Sequence, residues 1–546
     1  LGNFVSVASA QAAAAVSGTT QQAYYITGDN QAYVTALASG VAGTNDTVVT
    51  LTGVTALTAT DFGIGAQGAG NTVALSAAAA RVSTTASTNA TLVSTVKDDT
   101  ITATVTTIAG SQINGGAGND TLTISGAATT TGAFTGTYNM TAAANLVQNV
   151  EIINFAGATA GTLTMPNTIG LAVANTSATL IANSVQMGTG ANQTFTATGA
   201  GANTVLLGAG AGQSATITGT TGVAQTVTLG AAGQSVSTGV GGDTVNATIA
   251  TLAGSTVAMG GGTTDTLTLT GAGSAFTVAA AAVPAGAAAY SGIEVINLAA
   301  LTGITTALSV TPSAALAVTA PTGGVSSVVG TGTAGLITVT AGGTNTLSLS
   351  GTSNFAVVAA GAAAVGSTGT GTLLFTPAAG ISNTITSSTA STVTLAMAAV
   401  AGGTTTFGGT SNVVVTGLGT SAGGNVLTEA ATHTGAAVTT AINLAGAAVS
   451  TINLAGPLGA VTIIDAHTTT LTTLATGVLT GRTIDVTMTG ATGNFTVTGT
   501  NAATITATAG THTITGGGGA DTITGFSGVD GITGGLGGDI INTGGG

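Results

Sequence analysis

The residues with the clearest chemical spacing are three aspartates near the C-terminal end. Residues 516–542 divide without gaps into units of nine: Gly516-Gly517-Gly518-Gly519-Ala520-Asp521-Thr522-Ile523-Thr524, Gly525-Phe526-Ser527-Gly528-Val529-Asp530-Gly531-Ile532-Thr533 and Gly534-Gly535-Leu536-Gly537-Gly538-Asp539-Ile540-Ile541-Asn542. The first and third fit G-G-x-G-x-D-x-U-x at every fixed position, and the second misses one glycine. The glycine-rich half of such a unit makes a tight turn whose backbone carbonyls converge, and glycine accepts the positive φ values needed there. The aspartate adds a carboxylate. Calcium takes about six to eight hard oxygens, which carbonyls and carboxylates supply. Asp521, Asp530 and Asp539, with Gly516, Gly517, Gly519, Gly534, Gly535 and Gly537, therefore form one candidate metal set. A Gly-Asp turn without metal is the other reading of the same residues.

A second set of acids recurs farther upstream. The stretch Asp99–Ser111 matches Asp243–Ser255 without a gap, 144 residues apart. Each is followed by a glycine-rich turn carrying an aspartate, Gly115 to Asp120 and Gly260 to Asp265. Each then reaches a glutamate-led strand, Glu151-Ile152-Ile153-Asn154-Phe155 and Glu294-Val295-Ile296-Asn297-Leu298. A third, fainter copy has Asn383 in place of the aspartate and Thr440 in place of the glutamate. Both acids are lost together there, as expected if they serve one ligand. Asp99, Asp120, Asp243 and Asp265 are thus further candidate metal ligands, with Asx-turns as the alternative. Glu151 and Glu294 read as exposed strand-edge charges that oppose edge-to-edge pairing. Asp29 reads as a helix cap, and Asp46 fits either role.

The elements that must position these acids are short strands. Thr47–Thr52, Thr121–Ile124 and Thr266–Thr270 alternate threonine with aliphatics, which is the period of a half-buried strand. Gly, Asn and Ser cluster between such segments roughly every 8–12 residues. The small residues that dominate the apolar positions require a narrow interior, as in a solenoid whose coils pack only on their neighbours. The fold expected is all-β, made of repetitive β-solenoid or β-roll-like domains. A short Ala-rich N-terminal part, Gln11–Val16 and Ala32–Ser39, is expected to be helical. The chain divides into 1–98, an N-terminal segment with the first strands; 99–242 and 243–382, two repeat copies; 383–495, a degenerate copy; and 496–546, the terminal repeats.

The nonapeptides resemble the RTX calcium-binding repeat. With the threonine strands and the composition, the chain resembles a bacterial surface-layer protein of the RTX type, exported by type I secretion. The resemblance implies a flattened roll with 18 residues per coil, consecutive nonapeptides lying on opposite sides. Asp521 and Asp539 would then stack on one side and share an ion, with Asp530 on the other side next to His512. The internal pairs Asp99/Asp120 and Asp243/Asp265 would each be one coil plus a small insertion. The family further implies Ca2+ as cofactor, folding triggered by calcium outside the cell, and self-assembly into a lattice or filament. Its partner is then a second copy of itself, with cell-surface polysaccharide as an additional contact. The location implied is secreted, at the cell surface.

Composition excludes several other classes. Lys and Arg together number 3, so there is no basic face for nucleic acid. The absence of cysteine excludes a disulfide scaffold or zinc ribbon. A mean hydropathy of +0.59 is not that of an ordinary disordered chain. No apolar run offers the roughly 20 strongly apolar residues of a spanning helix, so no membrane span is expected. The G-x-S-x-G at Gly419–Gly423 lacks a strand-to-helix elbow, and no H-E-x-x-H occurs, so the chain reads as no enzyme. The main alternative function is a secreted adhesin or ligand-binding stalk facing ice or carbohydrate. A secretion module of a large exoenzyme is a second. The start at Leu1 and the final Gly544-Gly545-Gly546 read as the limits of a piece cut from a longer precursor.

Overall fold

In the computed structural model the described residues are most of 70–544, apart from stretches such as 84–91, 126–136 and 281–289, preceded by the strands Asn3–Phe4, Ala23–Thr27, Gln31–Ala36 and Thr47–Thr52. The chain forms two compact units, residues 1–221 and 222–546. In the first unit Ala23–Thr27 pairs antiparallel with Gln31–Ala36, which pairs antiparallel with Thr47–Thr52. The helix expected over Ala32–Ser39 is therefore corrected to a strand. Tyr33, Val34 and Thr35 are aromatic or β-branched, and their strand preference outweighs the flanking alanines. Gln11–Val16, Asp29 and Asp46 lie outside the described residues.

Beyond these strands the first unit is parallel throughout. One sheet stacks Thr72–Ala74, Thr100–Thr104, Thr121–Ser125, Ile152–Phe155, Ala172–Asn175, Thr194–Ala197 and Ser214–Ile217. A second stacks Thr137–Asn139, Gly161–Thr164, Asn183–Gln186 and Asn203–Leu206. From Gly161 to Ile217 the chain alternates between the two sheets, one strand in each per coil. The second unit continues in the same style. Thr244–Thr248, Thr266–Ala272 and Val295–Thr302 are successive neighbours in one sheet, which runs on to Ile540–Asn542. Its partner sheet runs from Phe276–Ala280 to Gly531–Thr533. Each unit is thus a parallel β-solenoid, and the expected fold class holds. One helical turn, Ile249–Leu252, is the helix among the described residues, and Thr248 and Thr251 close a reciprocal capping box at its start.

The period-two pattern explains the packing. In Thr121–Ser125 the aliphatics Leu122 and Ile124 are fully buried while the threonines between them face outward. In-register pairing puts like on like, so that Leu122 stacks on Ile101 and on Ile153. Each fully buried aliphatic contributes about 1.5–3 kcal/mol, and Phe155, Phe195, Phe375, Phe407 and Phe495 are the largest of the fully buried side chains. No helix among the described residues is long and apolar enough to cross a membrane.

Candidate metal centre and the capping spine

The terminal nonapeptides fold as the spacing requires. Thr522 pairs with Thr504 and with Ile540, a coil of 18 residues. Asp521 and Asp539 lie in successive coils of one sheet. The Asp521 backbone N–H donates to Asp539 Oδ1 at 3.0 Å, and the Ala503 N–H donates to Asp521 Oδ1 at 2.8 Å. Asp521 Oδ2 accepts from the Gly517 N–H at 2.8 Å. Asp530 lies in the other sheet, where its Oδ1 accepts from the His512 N–H at 3.0 Å. The buried His512 ring places Nδ1 3.2 Å from the same oxygen and Nε2 2.9 Å from Gly490 O.

The glycines are needed for two different reasons. Gly535 and Gly537 have φ of 103° and 135°, where other residues are strained. Gly516, Gly517 and Gly519 are required by close stacking instead. A methyl group on Gly516 would strike Gly534 O and Asp521 Oδ2, and one on Gly519 would strike Asn501. Positive φ alone, the reason expected from sequence, therefore covers only part of the motif.

The two upstream acid repeats share the same backbone caps. Asp99 N–H donates to Asp120 Oδ1 at 2.8 Å, and Asp120 N–H to Glu151 Oε2 at 2.9 Å. Asp243 N–H donates to Asp265 Oδ1 at 2.8 Å, and Asp265 N–H to Glu294 Oε2 at 2.9 Å. Asp243 in turn accepts from the Gln225 N–H at 2.8 Å. Every carboxylate reaches back one coil and caps the amide of the equivalent residue. An Asx-turn is local to its own turn; these caps cross between coils. Glu151 and Glu294 are likewise not edge charges. Their strands are paired on both sides, Ile152 with Thr121 and Ala172, Val295 with Thr266 and Ala317.

The electrostatics of these steps are unfavourable to charge. Asp99, Asp120, Asp243 and Asp265 are buried. Burial is the main cause that pushes the Asp120 carboxyl up from 3.8 to about 6; the Asp99 N–H opposes the shift, and Glu151, Asp99 and Asp98 add to it. Burial also raises Asp265 and Glu151. Asp120 Oδ2, Asp243 Oδ2 and Asp265 Oδ2 are buried without a hydrogen-bond partner. The second oxygen of Asp99, by contrast, takes the Thr95 N–H.

The same spine is filled by amides elsewhere, which the sequence reading missed. Gln213 Oε1 accepts from the Gly208 N–H, and its Nε2 donates to Gly188 O at 2.8 Å and Gly190 O at 2.7 Å. Gln193 Nε2 donates to Pro166 O and Thr168 O. The available signal was a glycine three residues before a glutamine that precedes Thr or Ser, as in Gly190-x-x-Gln193-Thr194, Gly210-x-x-Gln213-Ser214 and Gly222-x-x-Gln225-Thr226. Asn383 also caps, its Oδ1 accepting from the Ala363 N–H at 3.2 Å. Thr440, however, lies in the other sheet, so the third copy does not rebuild the acid step.

Glu429 and His433 form a buried pair, Nδ1 to Oε1 at 2.5 Å, with Nε2 3.1 Å from Ser411 O and Phe407 edge-on to the ring. Both ring nitrogens are engaged in a sealed core. The Gly419–Gly423 motif lies outside the described residues. Among the described residues no three His, Asp or Glu side chains converge as a metal site, so a cation here needs backbone carbonyls as well. The class that the fold defines is the parallel β-solenoid. No family model, curated protein or solved structure matches the chain.

Proposed function

We propose that this chain is a structural protomer of a self-assembling extracellular coat, a surface-layer lattice or filament, stabilised by calcium. The observation that carries the reading is the long run of in-register parallel coils ending in acid-and-glycine turns. A chain with 3% charged residues has few charges to place on its surface and does little to resist lateral packing. The donor set of the terminal coils is all oxygen and fits a hard divalent cation. Asp521, Asp530 and Asp539, with turn carbonyls of Gly516, Gly517, Gly519, Gly534, Gly535 and Gly537, would hold it. Bound calcium would neutralise the stacked carboxylates and tie each turn to the next. Calcium is scarce in the cytosol and abundant outside, so such a chain folds fully where it is to assemble.

The test is reversible assembly. The full chain is passed through chelator and then millimolar calcium, with negative-stain electron microscopy and circular dichroism followed in parallel. Ordered arrays and β signal that vanish and return together support a calcium-stabilised coat. Recovery of β signal with dispersed particles only would transfer the reading to an adhesin or stalk. Against the ice-binding form of that alternative, the outward threonine column Thr226, Thr244, Thr266 is broken at Val295 in the next coil.

A further inference from the structure

The capping residues fall into two kinds that share one bond and differ in the other. In the acids and in Asn383, one side-chain oxygen accepts the N–H of the preceding coil, whereas Gln213 Oε1 accepts the Gly208 N–H of its own coil. Asn383 Oδ1 does this for Ala363, Asp243 Oδ1 for Gln225 and Asp265 Oδ1 for Asp243. The second atom of the side chain tells the two kinds apart. In the amide coils that atom is a nitrogen and donates to a backbone carbonyl, one coil back from Gln193 and Gln213 and two residues earlier in three others. Asn383 Nδ2 donates to Ile381 O at 3.3 Å, Asn203 Nδ2 to Gly201 O at 3.0 Å and Gln225 Nε2 to Val223 O at 2.9 Å. In the acid coils the second atom is an oxygen. Asp120 Oδ2, Asp243 Oδ2 and Asp265 Oδ2 have no partner, and these residues are 0% exposed.

Other oxygens crowd the same places. A methyl group on Gly115 would strike both Asn149 O and the unpartnered Asp120 Oδ2, and one on Gly262 would strike Gly241 O and Asp265 Oδ1, the capping oxygen of the same carboxylate. Oxygen facing oxygen in a buried turn is repulsive unless something positive lies between them. The amide nitrogen, with its two protons, is that positive element in the coils that carry Asn or Gln.

We propose that the Asp120 turn and the Asp243–Asp265 turn each hold a hard divalent cation of the calcium class, seated where the amide nitrogen sits in neighbouring coils. Glu151 and Glu294, one coil further on, are positioning residues that hold the Asp120 and Asp265 backbones through their N–H groups. The proposal is independent of assembly and of the terminal nonapeptides.

The experiment counts ions on the dispersed full chain. Protein stripped with chelator is dialysed against calcium, and bound calcium per chain is measured by mass spectrometry for wild type, Asp120→Asn, Asp265→Asn and Asp539→Asn. Asn383 already caps its coil, so asparagine retains the cap. The expected result is one ion lost in Asp120→Asn and one in Asp265→Asn, with unchanged circular dichroism, whatever Asp539→Asn does to the terminal coils. In chelator the midpoint of Asp265→Asn should lie above that of wild type, because the buried repulsion has gone. Full stoichiometry in both Asp120→Asn and Asp265→Asn would overturn the proposal. So would a carbon-13 carboxyl spectrum of wild type in which Asp120 is a neutral acid at pH 7 with calcium present, since a proton would then fill the place. Loss of arrays with the ion count intact would count against the coat and leave these sites standing.

Discussion

Gln225 and Asp243 sit in successive coils of one sheet, with Asp243 capping the Gln225 N–H, yet they leave opposite debts in the turn beside them. The glutamine brings its own donor and closes its turn with Nε2 on Val223 O. The aspartate supplies the cap and leaves a bare oxygen behind. At Asp120, Asp243 and Asp265 an acid leaves a buried oxygen unpartnered, whereas Asp99 and Asp521 find an N–H for theirs and the amides close their turns themselves.

The largest effect expected is common to both kinds and checks that the stacking itself is shared. Gly262→Ala in an acid coil and Gly210→Ala in an amide coil both drive a methyl into the carbonyl of the coil before, Gly241 O and Gly190 O. Each should cost about 3 kcal/mol, the upper end for overpacking, read from urea unfolding. A small cost in either would mean that the turns part easily.

The next effect divides the two kinds. Asp265→Ala removes the acceptor of a buried N–H and should cost about 1–3 kcal/mol, with or without calcium. Gln213→Ala should cost a similar amount, since Gly208 N–H loses its acceptor. Calcium should raise the unfolding midpoint of the Gln213→Ala protein as it does wild type, and raise it less in Asp265→Ala.

A pH series sharpens the comparison further. The Asp120 carboxyl titrates at about 6 in the folded chain against an ordinary 3.8. The folded state therefore holds the proton more tightly than the unfolded state. In calcium-free buffer this stabilisation is full below about pH 4, is lost as pH rises to about 6, and is level above that. Burial raises Asp265 and Glu151 in the same direction. Asp120→Asn should flatten part of the slope, and a slope unchanged in that variant would contradict the assignment. The smallest effect belongs to the outward face. Thr256→Val, which removes an exposed hydroxyl contact to Ser235 Oγ, should shift stability by no more than about 0.5 kcal/mol in either direction.

Much of this was legible in the residues. Alternating threonine and aliphatic positions fixed strand identity and facing, because a one-residue slip would turn every Leu and Ile outward. The gapless nonapeptides placed Asp521, Asp530 and Asp539 on their correct sides, and the 144-residue repeat marked acid steps that share the same backbone caps. Three things were hidden. Glu151 looked like an edge charge because a sequence does not show that Ala172 and the strand after it cover that edge. The glutamine spine was overlooked because its signal, a glycine three residues before a Gln that leads a Thr or Ser, carries no charge to draw attention to it. Gln31–Ala36 misled because alanine counts toward a helix until the antiparallel partners on both sides are known.

The caps made by Asp99, Asp120, Asp243, Asp265, Asp521 and Asp539 all point the same way. The acceptor belongs to the later coil and the amide to the earlier one, from Asp99 on Asn71 to Asp539 on Asp521. A run of such coils has a plug at one face and a socket at the other. A coil arriving on the later face delivers an acceptor to a waiting amide; a coil arriving on the earlier face must offer an amide to an acceptor already in place. Along a run of these caps the two directions are therefore chemically distinct, and the run carries a polarity like that of a one-way thread.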